Sequence, residues 1–99
     1  MKIVTHPEVQ EELSEALQWL QERTLWSADD LFNTYDKQVE QIRQSPTSHH
    51  FIYRDFRRAN LKRFSYHLIY RTTADSLFII AFAHDKRHPD FWKTRIPST

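Results

Sequence analysis

The stretch from Phe64 to Ala83 leaves the chain few folds to choose from. Phe64 to Thr72 is rich in aromatic and β-branched residues, and Leu77 to Ala83 is almost wholly apolar. The short polar run Thr73 to Ser76 separates them, so the pair reads as an antiparallel hairpin. The composition then switches abruptly. His84, Asp85, Lys86, Arg87 and His88 crowd together where the apolar strand ends. A rigid strand that delivers polar groups to its end is a common way to build a site. A solvated strand end with ordinary surface charges produces the same pattern.

Glycine and cysteine are both absent. Without glycine there is no Gly-rich phosphate loop, and turns must rely on Pro, Asn, Asp and Ser. Without cysteine there is neither a disulfide framework nor thiolate chemistry. No apolar run approaches the length that spans a membrane, and Met1 to Pro7 lacks the apolar segment of a signal peptide, so the expectation is a cytoplasmic protein. Ninety-nine residues suffice for one domain, expected over 1–99. The net charge of +1 conceals a split: residues 1–50 carry four Lys/Arg against nine Asp/Glu, and residues 51–99 carry ten against four. A basic second half attracts a polyanion or an acidic protein.

Lys2 to Thr5 favours a strand, too short to stand alone and therefore added to the later sheet. His6-Pro7 opens a helix, with Pro in the first turn where its missing N–H costs nothing. Val9, Leu13, Ala16, Leu17 and Leu20 make one apolar stripe, and the helix is expected from about Pro7 to Arg23. Ser27 and Asp30 resemble a capping box with Asp in place of Glu. Ala28, Leu31, Phe32, Tyr35, Val39 and Ile42 form a second stripe, read as core, which ends near Gln44 before Pro46. Two amphipathic helices joined by a few residues make an antiparallel hairpin. Phe51 to Leu61 alternates loosely between aromatic and basic residues and reads as one strand with a break or bulge near Asp55. The expected fold is therefore α+β: an N-terminal strand, then a two-helix antiparallel hairpin packed on a four-stranded, mainly antiparallel sheet. Phe64, Tyr66, Leu68 and Tyr70 are expected to meet the helices. Ser65, His67, Ile69 and Arg71, with Arg57 or Arg58 beside them, would make the opposite face a basic surface.

Two runs carry a family resemblance. Arg58-Ala59-Asn60-Leu61-Lys62-Arg63-Phe64-Ser65-Tyr66-His67-Leu68-Ile69-Tyr70-Arg71 resembles the middle of RelE/ParE-superfamily toxins, where a basic residue, Phe, usually Pro, and Tyr open the penultimate strand. Ile80 to Arg95 resembles their C-terminal signature: an apolar strand ending in His, then Arg, Pro, an aromatic and a final Arg. Ser65 departs from the pattern where the family often has Pro. The resemblance covers nearly the whole chain. It implies the toxin of a type II toxin–antitoxin pair, neutralised by a cognate antitoxin. RelE-like members cleave mRNA, typically on the ribosome and without metal. ParE-like members inhibit DNA gyrase. The ending from His84 through Pro89 and Trp92 to Arg95 is similar to the ParE-like, plasmid-stabilisation branch, which implies growth inhibition through gyrase. A metal-independent mRNA endoribonuclease and an inactive member that still binds antitoxin are the alternatives.

Metal-free RNA cleavage needs a base for the 2′-OH, donors for the charge at phosphorus and an acid for the leaving oxygen. His84 has the chemistry of an acid or base, since an unperturbed His titrates near neutral pH. Arg63, Arg71 and Arg87 suit phosphate, and Tyr70 or Trp92 a stacked base. The catalytic candidates on the RelE-like reading are His84, Arg63 and Arg87. The bland reading has His84 bonding backbone, Arg87 and Asp90 pairing locally, and Trp92 packing a C-terminal turn onto the sheet. Arg54, Arg57, Arg58, Arg71, Tyr70, Trp92 and Arg95 are the candidate binding residues, for an acidic antitoxin segment or for RNA. No His, Asp or Glu spacing makes a convincing metal site, and no cofactor is expected.

Overall fold

The computed structural model describes residues 1–97, so the last two positions of the expected domain lie outside the described residues. Strand β1 (Lys2–Thr5) leads into helix α1 (Pro7–Arg23) and helix α2 (Ala28–Gln44). Four strands follow, β2 (Phe51–Tyr53), β3 (Phe56–Asn60), β4 (Tyr66–Thr72) and β5 (Ser76–His84), and then a 3-10 turn at Lys93–Arg95.

Both helices start where local chemistry allows. The His6 ring nitrogen Nδ1 accepts the Glu8 N–H at 3.1 Å, and Pro7 occupies the first turn. Ser27 and Asp30 close a full capping box: the Ser27 hydroxyl takes the Asp30 N–H at 3.2 Å, and the Asp30 carboxylate takes the Ser27 N–H at 2.8 Å. These bonds hold the Asp30 carboxyl below its ordinary range. The two apolar stripes lie on one face of the sheet. Val9, Leu13, Ala16, Leu20, Leu31, Val39 and Ile42 pack with Phe64, Tyr66, Leu68 and Tyr70, the strand residues expected there.

The sheet has the order β1-β5-β4-β3-β2. It is antiparallel except for β1, which runs parallel to β5 on the outer edge, with Ile3 opposite Leu77 and Thr5 opposite Ile79. The expected α+β architecture is present, but the sheet has five strands where four were expected. The break near Asp55 is a reversal rather than a bulge. β2 and β3 form a hairpin across Arg54 and Asp55, with Tyr53 opposite Phe56. With no glycine to hand, Arg54 itself takes the left-handed backbone (φ 52°) that this tight turn requires.

The opposite sheet face also differs from expectation. It carries a second core of Phe56, Ile69, Ile80, Ala81 and Trp92, with Tyr53, Phe78, Phe91 and Ile96 packed against it. The segment from Pro89 to Ile96 lies across this face as a strap, so it is not an open basic surface. A register shift in the β4–β5 ladder sets Ile69 opposite Ala81 but Tyr70 opposite Ile79. The unpaired Ile80 then falls on the same side as Ala81, which places two consecutive apolar residues in the second core.

Candidate functional site

Where β5 ends, its side chains divide between two clefts on opposite faces of the sheet. The first, about 310 Å³, is lined by Glu12, Ala16 and Trp19 of α1 together with Tyr66, His84 and Arg87. His84 stands between aromatic rings, 5.1 Å from Tyr66 and 5.9 Å from Trp19. Its Nδ1 accepts the Lys86 backbone N–H at 3.1 Å, so any contact with a ligand in the cleft falls to Nε2. Arg87 lies across the Phe91 ring at 3.9 Å and reaches Glu12 at 3.4 Å.

Glu12 is the organising residue of this end of the molecule. It is buried, and its two oxygens receive the Arg95 guanidinium at 2.8 and 3.1 Å. Oε1 also accepts the Phe82 N–H at 3.2 Å, and Arg95 donates to the Ile80 carbonyl at 3.1 Å. β1 covers the β5 edge only as far as Ile79. Beyond that point Glu12 and Arg95 take up the edge groups of β5 that a neighbouring strand would otherwise bond.

The second cleft, about 410 Å³, lies under the strap and is lined by Arg58, His67, Asp85, Lys86, His88 and Trp92 among others. His67 is buried, and its Nδ1 is 2.8 Å from Asp85 Oδ1. Arg58 donates to the same oxygen at 3.2 Å and to the Asn60 side-chain carbonyl at 2.9 Å. A carboxylate can only accept, so Nδ1 carries the proton and the Nε2 lone pair points away from Asp85. Burial holds His67 below its ordinary range, against the hydrogen bond it donates to Asp85, which pulls the other way. Arg58, which shares Asp85 with the ring, adds to the lowering. His67 was read from the sequence only as a polar member of a face. Its role depends on Asp85 across the ladder, for which spacing gives no signal.

The residues singled out from the sequence do not gather in one place. His84 and Arg87 share the first cleft, but Arg63 sits in the β3–β4 connection with its guanidinium 5.1 Å over the Trp26 ring. Arg57 donates to the Thr47 and His49 carbonyls at 3.1 and 2.6 Å and covers the Phe51 ring, so it fastens the loop after α2. Arg54 lies over Tyr53, and Arg71 over Phe56 and Phe78. Arg58 belongs to the His67 cleft and Arg95 to the Glu12 pair. Tyr70 and Trp92 are fully buried. The Tyr70 hydroxyl lies 3.2 Å from His49 Nδ1, and the Trp92 ring donates to the Pro89 carbonyl at 2.8 Å. Neither ring presents a free face to a base, which corrects the expectation of stacking; Trp92 instead packs the C-terminal turn onto the sheet. Among the described residues no three His, Asp or Glu side chains stand together as a metal-binding group, and no helix is long and apolar enough to cross a membrane.

These features define a small α+β domain with a helical hairpin on one sheet face, a C-terminal strap on the other and two clefts at the end of the last strand. No family model matches the chain. Over 90 residues it is 27% identical to the toxin ParE2 of Mycobacterium tuberculosis, spanning 90% of this chain and 86% of that protein. Its fold resembles a chain of the chromosomal ParDE toxin–antitoxin system of P. aeruginosa, with a TM-score of 0.60 at 12% identity over 85% of this chain and 95% of that one. It also resembles the isolated E. coli RelE toxin, with a TM-score of 0.60 at 15% identity over 95% and 94% of the two chains. The chain is thus similar in sequence to a ParE toxin and in fold to a chain of a ParDE system and to the RelE toxin.

Proposed function

We propose that the protein is the toxin of a type II toxin–antitoxin pair, kept inactive by a cognate antitoxin, and that it arrests growth in the cytoplasm by ParE-like binding to DNA gyrase. The observation that carries this reading is the dispersal of the three groups a RelE-like scheme would take from the sequence. Arg63 lines a different cleft from His84 and Arg87, and Arg87 is drawn toward buried Glu12. A protein that works by binding needs no such convergence. The likeness to the M. tuberculosis ParE2 toxin supports the same branch.

The second cleft supports a different reading, metal-independent cleavage of ribosome-associated mRNA. On this reading His67 Nε2, the nitrogen not bonded to Asp85, would take the 2′-OH proton, and Arg58 and Lys86, which line the same cleft, would offset charge at phosphorus. His88, which lines the same cleft, would be the acid for the departing 5′-oxygen on this reading.

The experiment is induced expression without antitoxin, with total RNA and plasmid topology taken from one culture. Altered supercoiling or cleaved DNA with intact mRNA is the result expected. Rapid mRNA cutting with unchanged topology overturns the gyrase reading. His67→Ala and His84→Ala, each checked for native melting, then show which cleft cleaves. Continued growth with neither change identifies an inactive antitoxin-binding member.

A further inference from the structure

A third cleft, of about 240 Å³, lies between the middle of α2 and the β3–β4 connection, away from both clefts at the end of β5. Its lining is Thr34, Lys37, Gln38 and Gln41 from the helix and Lys62 and Arg63 from the connection. The helix residues follow the spacing that shares one face. Thr34 and Gln38 are buried and already engaged: the Thr34 hydroxyl donates to the Asp30 carbonyl at 2.8 Å, and the Gln38 amide nitrogen is 3.3 Å from His49 Nε2. The donors left for a ligand are chiefly those of Lys37, Gln41, Lys62 and Arg63.

The charges around it are one-sided. No carboxylate lines the cleft. Among the described residues, Lys37, Lys62 and Arg63 have no carboxylate within 4.0 Å, as is also true of Lys2, Arg54, Arg57 and Lys86, but only these three line one cleft together. Asp30, near enough for Arg63 to act on its charge, is committed to the Ser27 cap through Oδ2. Arg63 also holds a left-handed backbone, φ 68°, in a chain with no glycine to take that position at lower cost. The fold therefore brings three like-charged residues to the lining of one small cleft. A compact anion relieves their repulsion and gains charge-assisted hydrogen bonds.

We propose that this cleft is an oxyanion site that takes a phosphate or carboxylate group. It stands whatever the toxin's target. The test is an amide NMR titration of the full chain at low ionic strength, with inorganic phosphate in one arm and glutarate in the other. The expected result is saturable shifts confined to Thr34, Lys37, Gln38, Gln41, Lys62 and Arg63. Saturation by phosphate alone assigns a phosphate group, and saturation by glutarate assigns the carboxylate of an acidic side chain. Lys37→Gln and Lys62→Gln, each retaining native melting, weaken binding about ten-fold apiece, as loss of one charge-assisted bond does. Unsaturable shifts in both arms overturn the proposal. So do shifts spread equally over Arg54, Arg57 and Lys86, or unchanged affinity in the natively melting double variant.

Discussion

Replacing Glu12 by glutamine keeps the shape of the side chain and removes its charge. In the native protein the carboxylate receives Arg95 through two bonds at 2.8 and 3.1 Å, with side-chain exposures of 6% for Glu12 and 13% for Arg95. Hydrogen bonds to charged groups contribute about 1.5–3 kcal/mol each, against about 1 kcal/mol for neutral ones. Converting both, with a discount for the partly open Arg95, costs about 2 kcal/mol. In a domain of this size that lowers Tm by about 8–16 °C. Glu12→Ala costs more, about 3–5 kcal/mol, because it strands a buried guanidinium and frees the Phe82 N–H. The assay is urea denaturation of wild type, Glu12→Ala, Arg95→Ala and the double variant. The expected coupling energy is about 1.5–3 kcal/mol, with the singles together costing more than the double. The apolar pair Glu12→Leu with Arg95→Met should not restore stability, because the Phe82 N–H and Ile80 carbonyl lose their partners. A coupling below about 0.5 kcal/mol, the scatter expected of independent sites, refutes the assignment of Glu12 and Arg95 as a joint seal of the β5 edge.

Three further outcomes are expected. His67 and His49 are both held below their ordinary range, His49 by burial first and the Arg57 charge second. Unfolding lets each bind a proton more readily, so their contribution is whole above pH about 6.5 and is lost as pH falls toward the lowered native values. Urea midpoints taken across that window should decline for wild type and decline less for His67→Gln; parallel curves contradict the assignment. Arg54→Asn places a residue tolerant of left-handed backbone in the β2–β3 turn. It should raise stability by about 0.5–1 kcal/mol at an unchanged denaturant slope, and a loss would show that the turn is not strained. Trp92→Ala empties the second core at a cost of about 3–5 kcal/mol and should erase much of the near-UV circular dichroism. A near-native melt would mean that the strap does not hold the sheet face.

Local signals reached as far as local physics does. Pro7, the Ser27–Asp30 box and the stripes from Val9 to Leu20 and from Leu31 to Ile42 each act within a turn or two, and both helices lie where they place them. The face of β4 that meets the helices followed from alternation alone. The second core did not, because the register shift at Ile80 breaks that alternation and because the strap returns from residues far along the chain. The fifth strand stayed hidden because an arginine occupies the turn position that glycine or asparagine would have marked. In the clefts, His84 and Arg87 were legible from a charge run at a strand end. Glu12 stands among Glu8, Glu11 and Glu15 in the first half of α1, and nothing in the spacing sets it apart. Its burial depends on Arg95, 83 positions away, and that of His67 on Asp85, 18 positions away.

The first strand pairs with the last, and this sets an order on the protein's synthesis. The helical hairpin is complete at Gln44, but the strand that anchors β1 and covers α1 ends at His84. At about 5–20 residues per second the hairpin waits some 2–8 s on the ribosome with Val9, Leu13, Leu31 and Ile42 uncovered. The edge of β5 waits longer still, until Arg95 emerges. The sheet therefore cannot be sealed before Arg95 is available. Until then the growing chain shows an apolar helical surface and an open strand.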